Sequence, residues 1–591
     1  MASMAVLRRQ SSRPVGWIRK LREVHGPSRG RRLLNSLQQS LLNGTAEGYW
    51  NVLADPPTRF NFPRDVIDFW STQEKGTSPS NLAFCFAVDD NPKADVNFSY
   101  MELSSLSKRV SGVLKDQLDL SKGDRLMVIL PKTPEFWLIK LAALRSGIIL
   151  TTCTPMLTSQ DIGFRLTKFA PHCVVAGEGQ VDAVDQVIGG FPGVRNKVVV
   201  SGSSGRSGWK SFCDLLKGAQ EFEGVETLRD DPAFVFFTSG TTGPPKMVEH
   251  SQGYCLANLA TATYFQSLRR SDVFWCISDT GWAKVAWGTF PAWLTGACLF
   301  QARMPRFSPE TTLSVLCDYP ITKLCAPPTV YRALLQLDPS LFKFRSLNDC
   351  VSAGEPMHRE VALQWFDRTG LRVREGYGQT ESVALCASPV DKVVKPGSMG
   401  LPLPNVTIQI HDDEGRELGP NEIGHMAVAT TPKKPFGLFT CYRLLPVNTG
   451  RTDADDGFST GGRGLQDFLG YLWFQRSSPR RSVSSTYFLF SCCLKSGRAR
   501  RSSRNARWTT LCEIDSFRFC VVKAFIVLRT SHGNIEDLDG LAVELQEFVK
   551  KNTAPYKYPR KVEFVGELPK TISGKVLRTS LREREKPING A

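Results

Sequence analysis

Apolar runs alternate with amphipathic segments along most of the chain. The run DRLMVILP at 124–131 predicts a buried strand, and TPEFWLIKLAALRSG at 133–147 has helical spacing and ends in glycine. The runs HCVVAG and NKVVVSG predict further short strands. Because strands that alternate with helices are typical of parallel sheets, the pattern over about residues 60–430 predicts an α/β fold with parallel or mixed sheets flanked by helices.

The same pattern returns on a smaller scale near the end of the sequence. VVKAFIVL at 521–528 predicts a strand, Leu541, Leu545 and Phe548 follow at helical spacing, and KVEFVGELP predicts another strand. We therefore expect a large N-terminal domain over 45–475 and a small, mobile α+β C-terminal domain over 478–591.

A segment between these two patterns fits neither of them. Residues 476–512 have no clear period, much Ser and Arg, and no acidic residue. This composition is typical of a linker or a disordered region, although the apolar patch TYFLFSCCL fits disorder poorly. The C-terminal domain is thus predicted to be atypical over 478–518.

The net charge of +17 is confined to two segments. Residues 1–40 carry +8 and residues 468–512 carry +9, so the rest of the chain is balanced. A nucleic-acid-binding fold spreads basic residues over one face, and we expect no nucleic-acid partner. The first segment is rich in Arg and Ser and lacks a long apolar core, which predicts a mitochondrial transit peptide over 1–40 and a matrix location. A disordered basic tail is the alternative.

Membrane spans and disulfides are not expected. No run of about eighteen apolar residues occurs, so we predict no stable membrane insertion. Sixteen cysteines without a secretory signal indicate reduced thiols, and the one close pair, Cys492–Cys493, lacks a zinc-site spacing.

The string FVFFTSGTTGPPKMVEH at 234–250 places an apolar strand before hydroxyl residues, glycines and a lysine. Backbone N–H groups and hydroxyls of such a turn are suited to phosphate oxygens, and Lys246 adds a positive charge. The string is not the common nucleotide loop, because Pro245 replaces its second glycine and Met247 follows the lysine. A plain flexible hairpin is the alternative interpretation.

Four further strings carry residues suited to nucleotide chemistry. They are SDTGW at 278–282, SAGEP at 352–356, EGYGQTE at 375–381 and LPKTISGKVLR at 568–578. Tyr377 is suited to stacking on a purine, Thr380 to a phosphate or carboxylate oxygen, and Glu381 to magnesium. Lys575 follows Gly574 at a turn, where a lysine can neutralise charge that develops in a transition state. Taken singly, each string also fits a polar capping loop or an exposed surface lysine.

In order and spacing, these strings resemble the adenylate-forming (AMP-binding) superfamily of acyl-CoA synthetases, luciferases and adenylation domains. TSGTTGPPKMVEHS, SDTGWAK, SAGEPM, EGYGQTE, KPGSMG and TAPYKYPRKVEFVGELPKTISGK look most like the mitochondrial medium-chain acyl-CoA synthetases, the butyrate–CoA ligase group. The resemblance covers roughly residues 50–440 and 518–580.

The resemblance implies a ligase that uses ATP, Mg²⁺ and coenzyme A to convert a medium-chain fatty acid through an acyl-adenylate to acyl-CoA, releasing AMP and pyrophosphate. Glu381 would hold the metal, and Thr241, Lys246 and Lys575 would serve catalysis. Trp282, Gly378 and Thr380 would bind the acid. The residues implied in ATP binding are Thr238, Ser239, Gly240, Thr241, Thr242, Gly243, Lys246, Gly354, Glu355, Pro356, Glu375, Gly376, Tyr377, Gly378, Gln379, Thr380, Arg476 and Lys575. Those implied in coenzyme A binding are Lys557, Tyr558 and Arg560.

The chain departs from the family pattern at two places. The family string TGDRG, whose aspartate binds the ribose hydroxyls, reads TGGRG here, so Gly462 replaces the acid. The glycine-rich loop expected after Arg476 is replaced by unrelated sequence. A shifted reading frame, a retained intron or a gene-model error would explain the replacement, and a divergent insertion is the second choice.

Three functions remain open at this point. The first is an acid–thiol ligase acting as a monomer or weak homo-oligomer. The second is a catalytically impaired homologue that binds nucleotide only, as Gly462 and the replaced segment suggest. The third is an adenylation module for a carrier protein, ranked last because no carrier motif follows the C-terminal domain.

Overall fold

The computed structural model describes residues 29–44, 46–73, 82–88, 94–200, 206–238, 245–443, 457–477, 506–513, 521–528, 537–552 and 559–565. Internal contacts divide the chain into two units. The larger unit comprises residues 1–155, 168–237 and 247–476, and the smaller comprises 156–167, 238–246 and 477–591. Within the described residues, no helix combines the length and the apolar character needed to cross a bilayer.

Helices begin the described chain and occupy most connections between strands. In order they are α1 Arg29–Asn43, α2 Ala46–Ala54, α3 Asp68–Thr72, α4 Tyr100–Gly112, α5 Pro134–Arg145, α6 Ser159–Phe169, α7 Val181–Ile188, α8 Phe212–Lys217, α9 Gly253–Ala260, α10 Lys284–Leu294, α11 Pro309–Asp318, α12 Pro328–Gln336, α13 Arg359–Thr369 and α14 Leu538–Asn552. Local sequence defines several ends: Ser99 and Glu102 form a capping box before α4, and Gly370 ends α13 with a left-handed φ of 72°.

The strands that form the sheets follow the predicted alternation with helices. In order they are β1 Leu82–Ala87, β2 Val96–Ser99, β3 Arg125–Ile129, β4 Ile149–Cys153, β5 Cys173–Gly177, β6 Asn196–Val200, β7 Lys210–Ser211, β8 Pro232–Phe237, β9 Met247–Ser251, β10 Val273–Cys276, β11 Cys298–Ala302, β12 Lys323–Ala326, β13 Asp349–Ala353, β14 Val373–Tyr377, β15 Cys386–Ala387, β16 Leu401–Pro402, β17 Ile408–His411, β18 Gly424–Ala429, β19 Cys441–Arg443, β20 Gly457–Gln466, β21 Leu472–Ser477, β22 Ala506–Glu513, β23 Val521–Leu528 and β24 Lys561–Phe564.

Two large sheets dominate the larger unit. One has the order β16-β15-β14-β13-β12-β10-β11-β1-β2, and the other has the order β19-β9-β8-β4-β3-β5-β6-β7. Their central strands pair in parallel, and antiparallel pairs occur toward the edges. Because helices cover parallel sheets, strands such as β4 and β5 are buried along their whole length. The predicted α/β fold with parallel and mixed sheets is confirmed.

A third sheet of the larger unit has the order β17-β18-β20-β21. The β17–β18 and β18–β20 pairs are antiparallel. Its own apolar cluster includes Ile410, Met426, Val428 and Leu472. This sheet brings the string that contains Gly462 onto β20.

Helix α1 crosses the predicted end of the transit peptide. Its Leu37 and Leu41 are 0% and 3% exposed, and both belong to the main apolar core. Cleavage after residue 40 would remove Leu37 from that core. The transit peptide stays a prediction, and we propose that it ends before Arg29.

The smaller unit contains a sheet of the order β22-β23-β24 and helix α14. Ala524 and Ile526 of β23 pack with Leu545 and Val549 of α14, as the helical spacing predicts. Interpreting 476–512 as linker or disorder is wrong over Ala506–Cys512, because these residues lie in β22, antiparallel to β23. Backbone pairing with β23 supplies the order that the composition does not indicate. Residues 478–505 lie outside the described residues, and the predicted domain boundaries stay predictions.

Candidate active site

Two predicted strings meet where β13 and β14 end. These strands are parallel and pair Ser352 with Glu375 and Ala353 with Gly376. SAGEP continues from β13 and EGYGQTE continues from β14, so both loops leave the same edge of the sheet. Ligands of open α/β sheets bind outside the carboxyl ends of the strands, and this edge is the candidate site.

The loop Gly354–Met357 is held from three sides. Gly354 has a φ of 104°, which favours glycine. Lys284 Nζ donates to the Ala353 carbonyl at 2.7 Å, and Thr329 Oγ1 donates to Glu355 Oε1 at 3.2 Å. The Met357 N–H donates to Glu375 Oε1 at 3.2 Å, which ties the end of the loop to β14. The geometry thus gives Glu375 an anchoring contact with a loop that contains the predicted ATP-binding residues Gly354, Glu355 and Pro356.

Glu375 is a buried carboxyl with one protein hydrogen bond. Its side chain is 5% exposed, and Oε2 has no hydrogen-bond partner among the described residues. Burial raises the pKa of Glu375 to about 8, opposed by the hydrogen bond from Met357. The group is therefore mostly protonated at neutral pH.

The turn after β14 is fixed by contacts that sequence reasoning missed. His250, at the end of β9, places Nε2 2.7 Å from the Thr380 carbonyl. Burial lowers the pKa of His250 to about 4, so the ring is neutral and its Nε2 acts as the donor here. Gln379 Nε2 donates to the Thr460 carbonyl of β20 at 2.6 Å, and the rings of Tyr377 and Phe474 lie 6.5 Å apart. No local motif marks His250, because its partner lies 130 residues away in the sequence.

Glycine is required at two positions of this turn by close packing. A Cβ atom on Gly376 would lie 2.6 Å from the Phe265 ring, and one on Gly378 would lie 2.5 Å from the Trp287 indole. Trp287 is 5% exposed, so its ring has little room to move. The predicted acid-binding residue Gly378 therefore lies against a tryptophan that sequence reasoning did not select.

The loop Ser278–Trp282 is fixed at the edge of both large sheets. Thr280 Oγ1 donates to the Leu130 carbonyl beyond β3 at 2.6 Å. Gly281 packs so closely on the backbone of Cys153 and Thr154 that a Cβ would overlap it. Trp282, predicted to bind the acid, remains 46% exposed.

Glu381 fits the role of a metal ligand. Tyr442 donates to its Oε1 at 2.6 Å, and Oε2 accepts no hydrogen bond among the described residues. Clusters of three or more metal-binding side chains are absent from the described part of the chain. A single carboxylate suits Mg²⁺ that keeps waters and substrate phosphates, so the donor set is compatible with that ion.

Gly462 lies beside the same turn. Thr460, two residues earlier, accepts a hydrogen bond from Gln379 Nε2 through its backbone carbonyl at 2.6 Å. A Cβ atom at 462 would lie 2.8 Å from Met426 Cε and 3.0 Å from the Phe474 ring. Both are ends of side chains, so a larger residue needs them to move.

The remaining predicted residues are described only in part. Thr238 N–H donates to the Lys246 carbonyl at 2.9 Å across the predicted phosphate loop. Arg476 lies in β21, and Arg560 is exposed before β24. Outside the described residues lie Ser239, Gly240, Thr241, Thr242, Gly243, Lys557, Tyr558 and Lys575.

Comparison with known families matches two segments of the chain. Residues 73–442 match the family described as AMP-binding enzyme, and residues 515–575 match the AMP-binding enzyme C-terminal domain. The chain belongs to the AMP-binding enzyme family. Its two matched segments leave out residues 443–514, which include Gly462 and most of the atypical segment.

Curated relatives of this AMP-binding enzyme place it in a narrower group. It is 43% identical over 533 residues to the mitochondrial acyl-coenzyme A synthetase ACSM3 of Rattus norvegicus, covering 90% of this chain and 91% of the relative. It is 43% identical over 538 residues to the mitochondrial acyl-coenzyme A synthetase ACSM4 of Homo sapiens, with the same coverage. The resemblance to the mitochondrial medium-chain acyl-CoA synthetase group is confirmed.

Solved structures share the fold. An acyl-CoA synthetase of Brucella canis superposes with a TM-score of 0.66 at 25% identity, covering 93% of this chain and 98% of that one. The ATP-bound MatB of Rhodopseudomonas palustris superposes with a TM-score of 0.61 at 22% identity, covering 89% of this chain and all of the other.

Proposed function

We propose that this AMP-binding enzyme is an ATP-dependent acid–thiol ligase that converts a medium-chain fatty acid to its acyl-CoA. The observation that carries the proposal is the pair of loops after β13 and β14. The Met357–Glu375 hydrogen bond joins them, and the second loop packs so closely on Phe265 and Trp287 that only glycine fits at 376 and 378. The relatives named as acyl-coenzyme A synthetases support the reaction class. These relatives are also named as mitochondrial, which confirms the predicted mitochondrial location. We propose that the enzyme lies in the matrix.

The reaction divides into two steps. In the first, a carboxylate oxygen of the acid bonds to the α-phosphorus of ATP and pyrophosphate leaves. In the second, the coenzyme A thiol bonds to the acyl carbon and AMP leaves. The mixed anhydride between the steps makes an inert carboxylate into a good acyl donor.

Nucleotide contacts are assigned to the residues that surround the site. Gly354, Glu355 and Pro356 frame the adenine, Tyr377 supplies an aromatic face, and Thr380 faces the α-phosphate or the acid. The fixed positions of these groups matter because preorganised donors avoid reorganisation in the transition state. His250 positions the turn through the Thr380 carbonyl.

Charge neutralisation is assigned to Lys246, Lys575 and a magnesium ion. Glu381 would hold Mg²⁺, which supplies charge stabilisation on the phosphates when it is bound. Thr238–Lys246 would hold the β- and γ-phosphates, and Lys575 would serve adenylation. Coenzyme A would contact Lys557, Tyr558 and Arg560. A monomer or weak homo-oligomer remains our expectation.

The test measures both half-reactions on the full chain. ATP–pyrophosphate exchange and acyl-CoA formation are assayed with Mg²⁺, coenzyme A and straight-chain acids from butyrate to decanoate. We expect acid-dependent exchange and thioester formation, with Lys575→Ala reducing exchange by about 10²–10³ and the exposed helix residue Lys551→Ala leaving it unchanged. Nucleotide binding without acid-dependent exchange would contradict the ligase function.

A further inference from the structure

Cys276 and Cys325 lie opposite each other on neighbouring strands. β10 and β12 run parallel and pair these two cysteines directly, one residue beyond the pair Trp275 and Leu324. Cys276 and Cys325 pack in the main apolar core, whereas Trp275 and Leu324 pack in a separate core. Because successive side chains of a strand alternate between faces, the two thiols share one face of the sheet.

The spacing of neighbouring strands suits the Cα separation of a disulfide. Neighbouring strands lie about 4.7–4.9 Å apart, and the Cα atoms of a disulfide are usually about 4.4–6.8 Å apart. Both thiols are free in the structure. Cys350 on β13 is a control for this pairing, because the residues opposite it on the neighbouring strands are Leu324 and Val373 and not cysteines.

The surroundings favour a thiolate at one member of the pair. The neighbouring Cys276 thiol and the charge of Lys284 lower the pKa of Cys325, whereas the neighbouring Cys325 thiol and burial raise the pKa of Cys276. A thiolate is the form of cysteine that reacts with peroxides. The pair thus contains a nucleophile and a neighbouring thiol that can complete a disulfide.

Elements that carry or contact the pair continue into the candidate active site. β10 continues into the loop Ser278–Trp282, and Lys284 binds the Ala353 carbonyl immediately before Gly354. Gly288 of α10 packs directly on Cys276, where a Cβ atom would lie 2.6 Å from the cysteine Cβ. Any change in the β10–β12 spacing therefore acts on elements that carry the predicted acid and adenine loops.

We propose that Cys276 and Cys325 are an oxidation site that closes reversibly to a disulfide under hydrogen peroxide. The Cys325 thiolate attacks one peroxide oxygen and breaks the O–O bond, giving a sulfenic acid and hydroxide. The Cys276 sulfur then attacks the sulfenic sulfur, and the S–S bond forms as the S–O bond breaks. The Cys276 proton and the proton first lost from Cys325 convert both hydroxides to water, so two thiols are oxidised and one peroxide is reduced.

The experiment maps cysteine peptides from the native full chain. The protein is titrated with hydrogen peroxide, free thiols are alkylated, and the digest is analysed by mass spectrometry before and after dithiothreitol. We expect a 276–325 cross-linked peptide at the lowest effective peroxide dose, lost on reduction. We also expect ATP–pyrophosphate exchange to fall at least threefold with the cross-link and to recover with dithiothreitol.

Two variants make the test specific. Cys325→Ser should abolish the cross-link, whereas Cys350→Ser, a matched change of a buried strand cysteine, should leave it intact. Oxidation of other cysteines before any 276–325 cross-link forms in the wild-type protein overturns the proposal. The peptide map needs no turnover, so it decides the oxidation site even if the ligase function fails.

Discussion

Glu375→Gln should reveal the cost of ionising a carboxyl in the candidate site. The folded protein raises the pKa of Glu375 from 4.5 to about 8 because the group is buried with one hydrogen bond. Since each pKa unit is worth about 1.36 kcal/mol, the ionised form destabilises the fold by up to about 5 kcal/mol. Glutamine has nearly the same shape and does not titrate.

The sign of the pH dependence follows from proton binding. Between pH 4.5 and about 8 the folded state keeps a proton on Glu375 that the unfolded state has lost. The stability contributed by this site therefore falls as pH rises through that window and levels off above about pH 8. In the variant this fall is absent, while any cost of burying the amide is the same at every pH.

Urea unfolding of both proteins at pH 5.5, 7 and 8.5 measures the effect. From pH 5.5 to 8.5, we expect the free energy of unfolding of Glu375→Gln to rise by several kcal/mol relative to that of the wild type. The change Glu360→Gln, at an exposed residue, should show no such rise. Because the chain has two units, midpoints are compared only for the same transition. If the difference in unfolding free energy between the wild type and Glu375→Gln stays constant across this pH range, Glu375 is not a buried, protonated carboxyl.

Three other changes test the remaining residues. Gly378→Ala should lower acid-dependent exchange at least tenfold, because the added Cβ would overlap the Trp287 indole. Gly189→Ala should leave exchange unchanged, because a Cβ there meets nothing within 4 Å. Equal activity of the two variants would contradict the packing argument. Gly462→Asp should bind ATP more tightly than Gly462→Ala by about 1.5–3 kcal/mol in calorimetry, because both variants displace Met426 and Phe474 and only the aspartate adds a carboxylate; equal affinities would contradict a ribose-binding carboxylate at this position. Joint replacement of Arg8, Arg9, Arg13 and Arg19 should abolish import into isolated mitochondria, and undiminished import would contradict the transit peptide.

The sequence alone determined the elements whose signal is local. The buried strand β3 and the helix α5 follow from a continuous apolar run and a helical period, which depend only on neighbouring residues. The strings that became the loops after β13 and β14 were recognisable because their residue types and order carry the chemistry. The family and its reaction class followed from those strings.

Tertiary structure decided what depends on residues far apart in the sequence. His250 contacts Thr380, and Cys276 faces Cys325, only because sheet formation brings separate strands into register. Glu375 acquired its raised pKa from burial, a property that the motif does not specify. Strand β22 formed inside a Ser- and Arg-rich segment because β23 offered backbone hydrogen bonds, although Trp508, Thr509 and Thr510 are themselves residue types that favour strands.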